Sequence, residues 1–127
     1  MANFKPNAGK KSSKKTVDEG IKKFDEKFRK DKNVDTKSIF FGRDALLKML
    51  SEDGSSGITI FLTYQPNPDA DNKDTIQLAL VPTKEDGTLI WEDESKASAA
   101  TTALSTAAPS TSVSYVGGVT CPPYCPK

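Results

Sequence analysis

The sequence predicts a small α+β domain, with two helices packed on one face of a small antiparallel β-meander and disordered tails at both ends. Three observations carry this. One stretch has apolar residues at helical spacing, two later stretches alternate apolar and polar residues with a third short strand-like run after them, and both ends lack the large apolar side chains a core needs. With 127 residues the chain has room for one core.

The first helix is expected from Thr16 to about Lys30. Thr16 and Glu19 have the spacing of a reciprocal cap, and Val17, Ile21, Phe24 and Phe28 fall on one stripe. A short strand follows at Ser38 to Phe41, stopped by Gly42. Asp44 reads as the N-cap of a second helix over Ala45 to Ser51, in which Leu46 and Leu50 share a face. The clearest strand comes next. Ile58, Ile60, Leu62 and Tyr64 alternate with Thr59, Phe61 and Thr63. Thr75 to Val81 repeats the pattern, and after a turn at Asp86-Gly87 the short run Thr88 to Glu92 reads as a third strand. Short loops between three successive strands imply an antiparallel meander.

Ile58, Ile60, Leu62, Ile76, Leu78 and Leu80 are expected to face the helices. Phe40, Phe61, Ala79 and Val81 are then left facing outward as a candidate partner surface, because exposed apolar patches commonly mark interfaces.

The domain boundaries follow composition. Residues 1–15 are a Lys-rich arm, 16–93 the folded body, 94–120 a linker of Ser, Thr and Ala, and 121–127 a Cys-Pro tail. Charge divides the same way. Residues 1–32 carry eleven Lys or Arg against five acids, residues 33–94 five against twelve, and the remainder only Lys96 and Lys127, which together make the net +1. Lys10, Lys11, Lys14 and Lys15 are the candidate phosphate contacts of the arm. The acidic body would repel a nucleic acid, so nucleic acid is disfavoured as a partner.

The two cysteines, Cys121 and Cys125, form a Cys-x3-Cys pair, and two thiolates fill only half of a tetrahedral zinc site. They are the candidates for redox exchange or metal binding. In a proline-rich tail beyond a long linker they are expected to be accessible, reduced thiols on a tether. The acidic loop of Asp69, Asp71 and Asp74 fails the calcium-loop pattern, having Lys73, Asp74 and Leu80 where that pattern needs an oxygen ligand, Gly and Glu. The chain has no His, which removes the commonest general base and metal ligand.

No apolar run approaches the ~20 residues of a membrane span, and the N-terminus has no signal-peptide apolar core. The sequence therefore reads as a cytoplasmic, non-enzymatic protein-interaction module that needs no cofactor and no membrane. Its partner is a protein, which includes a second copy of itself. A thiol or metal protein using Cys121 and Cys125 is the alternative, and an accessory nucleic-acid binder using the Lys arm is the third reading.

Overall fold

A computed structural model describes residues 4–92 and 112–127. Within them the chain forms a small α+β fold: α1 (Lys14–Phe28), β1 (Ser38–Phe40), α2 (Arg43–Leu50), β2 (Ser55–Asn67), one 3-10 turn (Pro68–Ala70), β3 (Lys73–Lys84) and β4 (Val119–Cys121). β2 and β3 pair as a long ribbon, and β1 pairs antiparallel with β4. Contacts divide the chain into two units. The first holds residues 4–8, 42–61, 79–92 and 112–116, the second residues 9–41, 62–78 and 117–127. The ribbon contributes its open half to the first unit and its turn half to the second.

In the first unit the buried apolar residues are Met49 of α2, Leu80, Val81 and Pro82 of β3, Ile90 and Val113. The meander contracts here. Residues 88–92, expected as a third strand, meet β3 at the bridge of Thr83 with Leu89, through the bonds from Lys84 N to Thr88 O and from Ile90 N to Pro82 O. The proline at 82 can accept but not donate in a ladder, so a regular strand pair does not propagate past it. The Asp86-Gly87 turn forms as its chemistry demands: Gly87 sits at φ +92°, and the Asp86 carboxylate accepts from Thr88 N at 2.9 Å. That bond holds the Asp86 carboxyl below its ordinary value. The Phe4 ring lies against Gly87, where a Cβ would come within 2.8 Å of it, and Ser56 donates to the Phe4 carbonyl. The Lys-rich arm thus begins at an anchored aromatic group.

Part of the expected linker also folds. Ser112 bridges Glu92, Tyr115 exchanges two backbone bonds with Leu80 at 2.8 and 2.9 Å, and Val113 is buried. Residues 94–111 of that linker lie outside the described residues.

In the second unit α1 starts three residues earlier than the Thr16 cap predicts, because Ser13 is the N-cap and its hydroxyl accepts from Thr16 N at 3.1 Å. Ile21 and Phe24 are half-buried, whereas Val17 and Phe28 are exposed. In the first unit α2 is preceded by Gly42 as N-cap, and Asp44 sits in its first turn with no cap bond from a side chain. β4 is the element the composition hid. Ser38 pairs with Cys121, Ile39 with Thr120 and Phe40 with Val119, and Lys37 N extends the ladder to Cys121 O at 2.7 Å. Gly118 permits the approach, since a Cβ there would meet Ile39, Phe41 and the Phe40 carbonyl at 2.6 to 2.8 Å.

The ribbon's orientation departs from the expected one over part of its length: Leu80 is buried as expected and Ile58 and Leu78 are half-buried, but other positions turn the opposite way. Ile60 is 57% exposed, Leu62 80% and Tyr64 69%, while Val81 is 0% exposed and Thr75, Gln77 and Thr83 are buried. The alternating stretches form strands, but Thr75, Gln77 and Thr83 show that the Thr-rich face turns inward along much of the ribbon. Three of its hydroxyls are satisfied locally: Thr83 bonds Thr59 at 2.6 Å and Val81 O at 3.0 Å, and Thr63 donates to Gln77 O at 2.9 Å.

Candidate functional site

The cysteine pair is a disulfide, with Cα atoms 4.6 Å apart. Cys121 is buried in β4 and Cys125 is exposed. This corrects the free tether: the segment is docked because Val119 to Cys121 completes a ladder on β1, and sulfurs bonded to each other offer no thiolate to a metal or to a reagent. A cross-link between residues only four apart removes little freedom from the unfolded chain, about 2 kcal/mol by loop-entropy scaling. Reduction is accordingly expected to lower stability by about that amount and leave the protein folded, with Cys125 alkylated much faster than Cys121. Denaturant titration with and without reductant, and mass spectrometry of the labelled thiols, check both points.

The expected partner surface divides. Phe40 is 61% exposed and Phe61 is partly so, Ala79 is half-buried, and Val81 is removed from the surface by its complete burial. Lys10 and Lys11 lie in exposed coil, while Lys14 and Lys15 form the first turn of α1. Lys14 pairs with Asp18, and this bond holds its proton more tightly than usual. The Asp69–Asp74 loop is a turn. Asn67 Oδ1 accepts from Asp69 N at 2.9 Å, and Asp71 and Asn72 take left-handed φ values of 53° and 58°.

What the second unit builds from these elements is a cleft of about 170 Å³ lined by Phe24, Phe28, Arg29, Asp35, Thr36, Tyr64, Thr75 and Ile76. The helical spacing of α1 sets Phe24 and Phe28 side by side, their ring centroids 5.4 Å apart. Arg29, directly after the helix, organises the loop that follows it: Nη1 donates to Asp25 Oδ1 at 2.9 Å, Nη2 to Lys32 O at 3.0 Å and Nε to Asp35 O at 2.8 Å. The loop closes further through the Asp35 carboxylate, which accepts from Asp31 N at 2.9 Å. Thr36 then reaches β3, donating to Ile76 O at 2.6 Å.

The surrounding interior is polar and nearly all satisfied. Gln77 Nε2 donates to the carbonyls of Gln65 and Pro66 at 3.1 and 3.0 Å, and Asn67 Nδ2 donates to Thr120 Oγ1 at 3.3 Å. Thr75 is the exception. It is 2% exposed, and its hydroxyl is the one buried side-chain polar atom among the described residues with no hydrogen-bond partner. Such a group costs about 1 to 3 kcal/mol. Residue spacing assigns Phe24 and Ile76 to a core and Thr75 to a strand, and marks none of them as a site. Their convergence depends on residues 24–36 meeting residues 64–76, which no local spacing encodes. Compared with protein-family models, with curated proteins and with solved structures, the chain matches none.

Proposed function

We propose that the protein is an interaction module that docks another protein along β2. The supporting observation is the outward row of large apolar side chains on that strand, with Leu62 80% and Tyr64 69% exposed. The strand is suited to this in two further ways. It has one strand neighbour, β3, so its other edge takes part in no ladder among the described residues, and no charged residue occurs between Asp53 and Asp69 to blunt it. An added strand would gain main-chain bonds from the edge and apolar contacts from the row, about 1.5 to 3 kcal/mol for each large side chain fully covered. A second copy of the chain is one partner that fits, since a β2 edge can pair antiparallel with itself.

Among the described residues no helix is long and apolar enough to cross a membrane. A cytoplasmic setting belongs to the same reading, and it requires the fold to persist with the Cys121–Cys125 pair reduced, because the cytoplasmic thiol pool opens such bonds. The disulfide favours a redox role over a metal role within the thiol alternative.

Leu62→Asp tests the reading. It is expected to change stability by less than about 0.5 kcal/mol, as substitutions at exposed sites do, and to abolish partner capture and any self-association. Val17→Asp, at an exposed site on α1, should leave both intact. Sedimentation of each variant, with cross-linking of captured proteins to β2, decides it. Unchanged association in Leu62→Asp would remove β2 as the docking strand.

A further inference from the structure

We propose that the cleft of the second unit binds a neutral, single-ring aromatic group bearing one hydroxyl, the chemistry of a phenol or a tyrosine side chain. Size is the first argument. A volume of about 170 Å³ is close to the roughly 150 Å³ of an engineered apolar cavity that takes benzene, and well under the roughly 300 Å³ at which sites for larger ligands begin. One ring fits and two do not.

The walls give the second argument. Phe24, Phe28 and Tyr64 offer three aromatic surfaces with Ile76 beside them, and stacked or edge-on aromatic pairs gain beyond simple burial. Charge gives the third. The lining contains one cation and one carboxylate, but Arg29 is committed to Asp25 and two carbonyls, and Asp35 to the Asp31 amide. A charged ligand would have to break that lattice, whereas a neutral one leaves it alone.

The hydroxyl requirement comes from Thr75. A buried hydroxyl in a cleft lining, left without a partner where Arg29, Asp35 and Thr36 beside it each have one, is matched by a ligand that can both donate and accept. A phenolic oxygen does both. Thr36 cannot substitute as donor, since its hydroxyl proton is already given to Ile76 O.

This site shares Tyr64 with the outward row of β2 but includes neither Leu62 nor the strand's edge, so Leu62→Asp separates it from the docking function proposed above. The probes are p-cresol and toluene, which differ by the hydroxyl alone, titrated into the full chain and followed by amide and methyl chemical shifts. Saturable shifts at residues 24–36 and 64–76 are expected for p-cresol, with toluene about fivefold weaker, the worth of one ordinary hydrogen bond. Thr75→Val should keep the fold, hold or raise its unfolding midpoint and bring the two probes to equal affinity. Thr75→Ser should keep the preference, and it serves as the second variant if valine disturbs the strand. Leu62→Asp should bind p-cresol as the unaltered protein does.

N-acetyl-tyrosine amide, set against p-cresol, separates the two sources of the ring. Binding as tight as p-cresol assigns the cleft to a tyrosine presented by a polypeptide, and loss of binding assigns it to a free small phenol. Absence of saturable shifts with p-cresol, or a preference over toluene that survives Thr75→Val, overturns the proposal.

Discussion

Met49→Ala is expected to destabilise the protein by about 2 to 5 kcal/mol, a large share of what a domain of this size possesses. Met49 is 0% exposed, and its truncation removes three heavy atoms from the set of buried apolar residues that Leu80, Val81, Ile90 and Val113 complete. The first unit has few other large buried side chains to compensate. By contrast Ile60→Ala, at a site 57% exposed, should cost less than about 1 kcal/mol, although in the sequence Ile60 looks the more central residue. Urea denaturation of the two variants measures the difference. A cost for Ile60→Ala equal to that of Met49→Ala would mean that the row Ile60, Leu62 and Tyr64 is covered in the native protein.

That comparison also shows where sequence reasoning stops. The period-two pattern of residues 58–64 and 75–81 identifies two strands and the turn between them, and both exist with longer ends than the pattern suggests. It separates the two faces of each strand without saying which faces inward. Hydrophobicity alone selects the Ile and Leu face. The structure selects the other along much of the ribbon because Thr59, Thr63 and Thr83 satisfy their own hydroxyls on cross-strand or adjacent groups, which lowers the cost of burying them. Val81, assigned to the surface by its parity, is buried together with Leu80 of the opposite parity, because both faces of β3 are covered at that end.

β4 was illegible on different grounds. Three residues before two prolines carry almost no strand signal, and their partner β1 lies some eighty positions earlier in the chain. The cleft is harder still. Its aromatic wall was visible as a helical stripe, but Phe24 and Phe28 become a binding surface only because Arg29 folds the following loop back toward β3. Helical periodicity is silent about a residue whose work begins where the helix ends.

Arg29 is therefore the residue whose loss should do most to the second unit. Its side chain is 7% exposed and makes three hydrogen bonds, each from a charged donor: to the Asp25 carboxylate, the Lys32 carbonyl and the Asp35 carbonyl. Arg29→Met keeps much of the aliphatic volume and removes all three. At about 1.5 to 3 kcal/mol for a bond to a charged group, with part recovered by water at the exposed end of the loop, a net loss of about 2 to 4 kcal/mol is expected. Arg29→Lys should recover little of it, because one ammonium cannot span three acceptors that a planar fork reaches together.

Asp25 reports the same contact through its titration. The hydrogen bond from Arg29 holds its carboxyl below the ordinary 3.8, so the ionised form is favoured in the folded protein. The stability this supplies is present above the unfolded-state value and is lost as pH falls through the lower folded-state value. Loosening of residues 29–36 on acidification should therefore begin below about pH 4, and in Arg29→Met the Asp25 titration should move back up toward 3.8. Carbon-detected NMR of the Asp25 carboxyl, read beside the denaturation midpoint across the same pH range, follows both. An Asp25 titration unmoved by Arg29→Met would show that the guanidinium is not what holds the loop.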